Sequence, residues 1–195
     1  MQAKQEASSN IVILLLCGMA TFFDGFDLQL LALAVPSMAA TFQVGPEAFA
    51  PALAATVAGA AFGAILLAPV ADVRGRRPVL IGSMLLIAIP SAVIAGAHSI
   101  WLVILMRFPT GIALGAVVPI AIALASENAS GRYRHVAVSA VTVASALGAV
   151  LASITAPAIE TLGGWRLLFV VGATAPVIAA ILFYVLGPRT APVAL

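Results

Sequence analysis

Charged side chains are scarce in this 195-residue chain: Asp, Glu, Lys and Arg make up 8% of it, whereas 63% is hydrophobic. A soluble domain carries about 25% charged residues. Because so few charges cannot cover a water-exposed surface, the composition excludes an ordinary soluble protein. It predicts an integral membrane protein whose main partner is the lipid bilayer.

Further absences exclude other classes. The single cysteine, Cys17, cannot form an intrachain disulfide. The arginines occur in small groups without interleaved aromatic residues, so no nucleic acid is expected as a partner. The apolar stretches contain no His, and the chain has neither a Gly-x-Ser-x-Gly motif nor a cluster of metal-ligating residues. We therefore expect no enzyme activity, no cofactor and no metal site.

Six apolar stretches are long enough to cross a hydrocarbon core of about 30 Å, which takes about 20 helical residues. The predicted transmembrane helices are 11–36, 46–70, 79–97, 100–124, 136–159 and 166–186. The strands of a membrane barrel would be about 10 residues long and alternate in polarity, which these stretches do not. The predicted fold class is thus an all-α membrane protein. Residues 1–10 are its N-terminal tail, 11–187 its transmembrane domain and 188–195 the start of a central loop.

The basic residues predict the orientation of these helices. They fall in alternate connections, at Lys4, Arg74, Arg76, Arg77, Arg132, Arg134 and Arg189. The intervening connections, at 37–45 and around His98, contain no Lys or Arg, and the third contains only Arg166. Since Lys and Arg collect on the cytoplasmic side, both termini are predicted to be cytoplasmic. Trp101 and Trp165, at helix starts on the outer side, are predicted to be interface anchors.

Two carboxylates interrupt the first apolar stretch. Asp24 and Asp27 lie within the run FFDGFDLQLL, about one helical turn apart. A charged side chain at the centre of a bilayer costs roughly 2.5 to 3.5 kcal/mol on insertion scales. We therefore expect both aspartates to belong to a transport pathway.

Arg107 is the matching cation in the fourth helix. It lies about seven positions into that helix, roughly 10 Å below the outer surface, at a depth similar to that of Asp27. Its planar guanidinium fits either an aspartate or a carboxylate substrate. A substrate and a proton can then compete for one charge pair. The alternative is a static ion pair that only pins the fourth helix to the first.

Asp24 has no second cation at its depth, so we expect it to carry the proton, with Asp27 as the alternative. Phe22, Phe23 and Phe26 surround the aspartates and could stack on an aromatic substrate. Aromatic residues of membrane helices more often face lipid or the protein core, and that remains the other interpretation.

The connection between the second and third helices reads ADVRGRRPVL. It resembles the signature loop of the major facilitator superfamily, G-x-x-x-D-R-x-G-R-R, and departs from it at Ala68 and Val73. The resemblance implies a conformational gating loop formed by Asp72, Gly75, Arg76 and Arg77. It also implies that Arg76 pairs with Glu127, at the end of the fourth helix, to lock the outward-open state. Without the resemblance, these arginines would be ordinary cytoplasmic loop residues.

Four further segments are similar to the aromatic acid:proton symporter family within that superfamily. They are DGFD at 24–27, RFPTGIALGAVVP at 107–119, ASENASGRYR at 125–134 and GGWRLLF at 163–169. The similarity implies proton-coupled uptake of benzoate or hydroxybenzoate-like acids across a bacterial inner membrane, driven by the proton gradient without a cofactor. Asp24 and Asp27 would couple the protons, and Arg107, Asp27, Phe23 and Phe26 would bind the substrate.

Superfamily transporters have two six-helix halves, each built of two inverted three-helix repeats. This chain resembles one half, the N-terminal one, so its own activity has several interpretations. It can be a truncated or split fragment without activity, a half that pairs with a second half or with a copy of itself, or a non-transporting membrane subunit. A transporter of another small organic anion or of a sugar is a further alternative.

Overall fold

The structure is a computed structural model that describes residues 2–129 and 131–186, without the side chains of residues 2–9. These residues form a bundle of α-helices and contain no β-strand. The helices are α1 (Gln2–Phe42), α2 (Ala50–Arg74), α3 (Arg76–Ala95), α4 (Ile100–Asn128) and α5 (Arg134–Leu186). Short 3-10 helices at Pro46–Phe49 and Gly131–Tyr133 precede α2 and α5. The predicted central loop at 188–195 lies outside the described residues.

Helix α5 contains a break that divides it into two segments. Gly163 (φ −155°, ψ 16°) and Gly164 (φ 67°, ψ −172°) are non-helical, and the positive φ of Gly164 favours glycine because it has no Cβ. A 53-residue helix would be about 80 Å long, far more than one membrane crossing needs. The segments 134–162 and 165–186 therefore correspond to the predicted fifth and sixth helices.

Five helices among the described residues are long and apolar enough to cross a membrane, counting α5 as one. Most of them extend beyond the predicted apolar stretches, whereas α3 ends at Ala95, before the predicted bound at 97. Helix α1 begins at Gln2, inside the predicted tail, and continues past Pro36 to Phe42. Hydropathy marks only the part of a helix inside hydrocarbon, whereas backbone hydrogen bonding continues into polar residues. Pro36 is tolerated because neighbouring helices and side chains satisfy backbone groups freed by a membrane proline.

Glycines let two helix pairs pack closely. A Cβ at Gly25 of α1 would overlap the carbonyl oxygen of Ser145 in α5, and a Cβ at Gly148 would overlap that of Phe22. Helices α4 and α2 repeat this arrangement, with Gly111 against the carbonyl of Thr56 and Gly59 against that of Phe108. Since α1 and α4 run in opposite directions, the two pairs have the relation expected of inverted three-helix repeats.

The apolar core consists of two clusters. One lies at the end of the bundle that carries the loop arginines, called the basic end here, and includes Leu80, Leu124 and Phe183. The other lies towards the opposite end and includes Leu30, Phe49 and Phe169.

The two tryptophans differ in their surroundings. Trp101 is 74% exposed, as an interface anchor requires. Trp165 is 3% exposed, and its Nε1 donates a hydrogen bond to Thr41 Oγ1 at 3.0 Å. Trp165 thus packs against α1, a contact that helix position in the sequence does not encode, and its role as an interface anchor stays a prediction.

Candidate functional site

Asp27 and Arg107 form a buried ion pair between α1 and α4. Arg107 Nη1 lies 3.2 Å from Asp27 Oδ2, and each side chain is 1% exposed. A buried charge is expensive unless it is paired and hydrogen-bonded, so each of these residues depends on the other. The other two ion pairs formed by the described residues involve Arg76 at the basic end, and their acidic partners are more exposed.

Two hydroxyl groups complete the surroundings of this pair. Ser91 of α3 donates its Oγ hydrogen to Asp27 Oδ1 at 3.0 Å, and Arg107 Nε donates to Thr56 Oγ1 of α2 at 3.1 Å. Thr56 in turn donates to the carbonyl of Ala52 at 2.9 Å. Side chains from α1, α2, α3 and α4 thus converge on one buried network.

Sequence reasoning missed both hydroxyl residues. Ser and Thr are common in membrane helices, where many bond only to their own backbone. The one available signal at Thr56 is its neighbourhood: Gly59 and Gly63 follow it and bring α2 against α4. Nothing in the sequence around Ser91 distinguishes it from other small polar residues of the chain.

Asp24 lies one turn from the pair and has a different environment. Its side chain is 6% exposed, and its Oδ1 has no hydrogen-bond partner within the described part of the chain. None of the ion pairs formed by the described residues includes it. The neighbouring Gly25 holds α1 against the Ser145 backbone, which keeps Asp24 beneath α5 and away from solvent.

A cavity of about 1030 Å³ opens at the basic end between α1 and the first segment of α5. Its lining is mostly apolar and extends from Asn10 to Phe22 on α1, with Tyr133 and Leu147 on the facing side. Asp24, Asp27 and Arg107 do not line it. The cavity is therefore separate from the buried charge pair in this conformation.

The three phenylalanines near the aspartates are placed differently. Phe22 lines the cavity, and its ring centroid is 5.5 Å from that of Phe23 in an edge-on arrangement. Phe23 packs against the core cluster of the basic end. Phe26 is 6% exposed and belongs to the opposite cluster. Binding of substrate by Phe23 and Phe26 stays a prediction.

The predicted gating residues meet at the basic end. Arg76 Nη1 lies 2.7 Å from Glu127 Oε1, and its Nη2 lies 3.3 Å from Asp72 Oδ1. Gly75 has a φ of 94°, which allows this single residue to connect α2 to α3. One guanidinium therefore joins the ends of α2 and α4.

Arg77 points elsewhere. Its Nη2 donates to the carbonyls of Phe183 at 3.1 Å and Tyr184 at 2.6 Å, near the end of α5. The last carbonyls of a helix have no partner within that helix, and a cation there also complements its dipole. Arg77 thus caps α5 instead of contacting Glu127.

Comparisons with known proteins agree with this architecture. A family model described as the Major Facilitator Superfamily matches residues 17–195. A 4-hydroxybenzoate transporter, PcaK of Pseudomonas putida, is 29% identical over 92% of this chain and 40% of its own length. A 3-(3-hydroxy-phenyl)propionate transporter of Escherichia coli is 33% identical over 89% of this chain and 43% of its own.

Among solved structures, the inward-open conformation of the xylose transporter XylE from E. coli superposes with a TM-score of 0.78. It is 17% identical and is matched over 90% of this chain and 48% of its own. At that identity the likeness shows the fold alone. The chain spans about 40% of the length of the curated relatives it matches.

Proposed function

Because this chain belongs to the major facilitator superfamily, we propose that it carries the proton site and the carboxylate site of a transporter that takes up aromatic acids together with protons. The observation that carries the proposal is the contrast between its two buried aspartates. Asp27 is paired with Arg107, whereas Asp24 Oδ1 lacks a partner among the described residues. We assign the substrate site to Arg107 with Asp27, and the proton to Asp24.

The chemistry of each group supports its assigned role. Arg107 can exchange Asp27 for the carboxylate of an aromatic acid, because both anions fit the guanidinium plane. A buried carboxylate without a cationic partner is expensive, and binding a proton relieves that cost. The names of the relatives support an aromatic acid as the substrate: 4-hydroxybenzoate, gallate and 3-(3-hydroxy-phenyl)propionate.

The length of the chain affects how the proposal is tested. Relatives that are more than twice as long include a second half, and superfamily sites lie between the halves. We propose that the sites function when this chain is joined to such a half or to a second copy of itself, in a bacterial inner membrane with both ends of the chain cytoplasmic. A non-transporting membrane subunit is the alternative.

The test uses proteoliposomes that contain either this chain alone or the chain fused to the second half of the P. putida 4-hydroxybenzoate transporter. Labelled 4-hydroxybenzoate is supplied with an imposed proton gradient. We expect accumulation by the fusion, and accumulation by the chain alone would indicate an active homodimer. A fusion that is folded and inserted but neither accumulates nor exchanges the label contradicts the proposal.

Asp24→Asn separates the two sites. The amide keeps the shape of the side chain but cannot carry a proton, so accumulation should be lost while exchange of internal for external substrate survives. Glu47→Gln, at an exposed position in the connection before α2, is the matched control and should change neither. If Asp24→Asn still concentrates substrate, the proton site is not Asp24 and Asp27 takes that role.

A further inference from the structure

Each member of the ion pair between α1 and α4 divides its hydrogen bonds between its partner and a hydroxyl group. The two carboxylate oxygens of Asp27 have different partners, Arg107 on Oδ2 and Ser91 on Oδ1. Arg107 uses Nη1 for Asp27 and Nε for Thr56, and neither bond uses Nη2. Each member of the pair thus has one bond to the other and one bond to a hydroxyl group.

Thr56 restricts how Arg107 can receive a ligand. Its hydroxyl hydrogen goes to the Ala52 carbonyl, so its oxygen is oriented to accept from Nε. A carboxylate binds a guanidinium most strongly through two neighbouring nitrogens. With Nε held, these nitrogens are Nη1 and Nη2, and Nη1 is the one bonded to Asp27. A carboxylate ligand that binds in this way competes directly with Asp27.

Displacement would leave Asp27 without its cation in a site where it is 1% exposed. Removing one partner from a buried charge pair is strongly destabilising because the other charge stays buried. The Ser91 bond is on the other oxygen and on a different helix, so losing Arg107 does not remove it. The Ser91 bond should strengthen once Asp27 loses its cation, because a hydrogen bond to an uncompensated buried charge is stronger than one to a charge that is already paired. This strengthening lowers the cost of releasing Arg107.

We propose that Ser91 is the reserve partner of Asp27, a positioning residue that holds the carboxylate while a substrate carboxylate occupies Arg107. The inference rests on the proposed assignment of Arg107 to the substrate. The alternative is a purely structural role, in which Ser91 stabilises the substrate-free and substrate-bound states of the protein equally. The two roles differ in a measurable way, because only the reserve role makes ligand affinity depend on Ser91.

Helix α3 offers a matched control. Ser83 lies two turns before Ser91 on the same helix and is 2% exposed, but its hydroxyl has no hydrogen-bond partner within the described residues. Ser83→Ala therefore removes a buried serine hydroxyl that is remote from the pair. It should have no effect on binding if the reserve role is correct.

The first measurement is the dissociation constant of labelled 4-hydroxybenzoate for the purified chain in lipid nanodiscs, alone and fused to the second half. Ser91→Ala should raise the dissociation constant by up to about tenfold, because it removes the strength that the bond to Asp27 gains when Arg107 is released. Ser83→Ala should leave it within about twofold. An unchanged dissociation constant for Ser91→Ala, with a lower unfolding midpoint, overturns the proposal in favour of the structural role.

The second measurement needs no ligand. The shift of the unfolding midpoint caused by Ser91→Ala is compared between the unaltered chain and an Arg107→Gln chain, in which residue 107 carries no charge. Once Arg107 no longer holds the carboxylate, the shift should at least double, because Ser91 is then the partner that remains. Equal shifts in the two chains contradict the reserve role.

The two measurements together separate the inference from the proposed function. An enlarged shift without any binding of 4-hydroxybenzoate, benzoate or gallate by the fused chain means that the proposed function fails while the reserve role stands. If the fused chain binds these acids with an affinity that Ser91→Ala does not change, the reserve role fails while the proposed function stands. If the fused chain does not bind these acids and the shift is not enlarged, both the proposed function and the reserve role are contradicted.

Discussion

Asp24 and Asp27 are identical residues one turn apart, and their contacts give them different chemistry. Asp27 has a partner on each oxygen, whereas Asp24 Oδ1 has none in the described chain. The pair with Arg107 is thus the candidate for exchange with another anion, and Asp24 the candidate for exchange with a proton. Each role can be removed by a single conservative substitution at its own residue.

Arg107→Lys tests the residue that we propose receives the substrate. Lysine keeps the positive charge but loses the planar fork and the Nε bond to Thr56. Binding of 4-hydroxybenzoate by the fused chain should weaken by about 1 to 3 kcal/mol, through lost charge-assisted hydrogen bonds. Equilibrium binding at fixed pH measures this. Normal affinity would mean that Arg107 and Asp27 are a static pair that only joins α4 to α1.

At the scale of the helices, glycines place the charged residues. Gly111 lies one turn after Arg107, and its close approach to the Thr56 carbonyl brings α2 within hydrogen-bond distance of the guanidinium. Gly25 likewise allows α1 to approach the Ser145 carbonyl of α5 closely, beside Asp24. The small residues are therefore part of the site because they set its distances, as well as part of the packing.

Gly111→Ala tests this link between packing and the site. Its Cβ would overlap the Thr56 carbonyl, so α2 and α4 must separate, at a cost of about 1 to 3 kcal/mol. Gly82→Ala in α3 is the control, because a Cβ there meets nothing within 4 Å. The control should be neutral or stabilise the helix by up to about 1 kcal/mol. Unfolding in a detergent titration measures both, and equal effects would contradict close packing at Gly111.

For the whole molecule, the basic end is where the ends of several helices are joined. Arg76 joins the end of α2 to Glu127 of α4, and Arg77 caps α5. Glu127 is 47% exposed in its pair, and exposed ion pairs contribute only about 0 to 1 kcal/mol to stability. A weak contact can be broken and remade at little cost, so a gating role for the pair stays our proposal, and we expect the pair to contribute little to the free energy of folding.

Arg76→Gln should therefore slow conformational cycling without changing affinity. In the fused transporter we expect a lower maximal rate of uptake, with the dissociation constant for 4-hydroxybenzoate within about twofold of the unaltered value, since a surface ion pair far from Arg107 contributes little. Arg74→Gln, at an exposed position of the same connection, is the control. A changed affinity with an unchanged rate would show that Arg76 acts on the substrate site.

The orientation of the molecule is tested with reporters. Arginines populate alternate connections, so a fusion after Arg189 should be cytoplasmic and an insertion near Gly45 periplasmic. Alkaline phosphatase is active only outside the cytoplasm and green fluorescent protein fluoresces only inside it, so the pair reports both sides. The reverse pattern would refute the predicted orientation and the assignment of the basic end to the cytoplasm.

The sequence by itself determined that this protein lies in a membrane, where its apolar helices are, and which charged residues are candidates for the site. Transfer free energy depends on composition within a stretch of about 20 residues, so the apolar stretches and the buried Asp24, Asp27 and Arg107 could be read locally. The bounds of the helices could not, as α1 shows, because backbone hydrogen bonding continues outside the hydrocarbon.

Only the tertiary structure decided which side chains meet. Ser91 and Thr56 join the charge pair, Arg77 turns to the end of α5 while Arg76 reaches Glu127, and Trp165 is buried against Thr41. Each of these contacts connects residues distant in the chain through the rotation and crossing of packed helices. A local hydropathy pattern does not encode these features. Lipid is as apolar as the protein core, so the pattern does not show which face of a helix packs against other helices and which faces lipid.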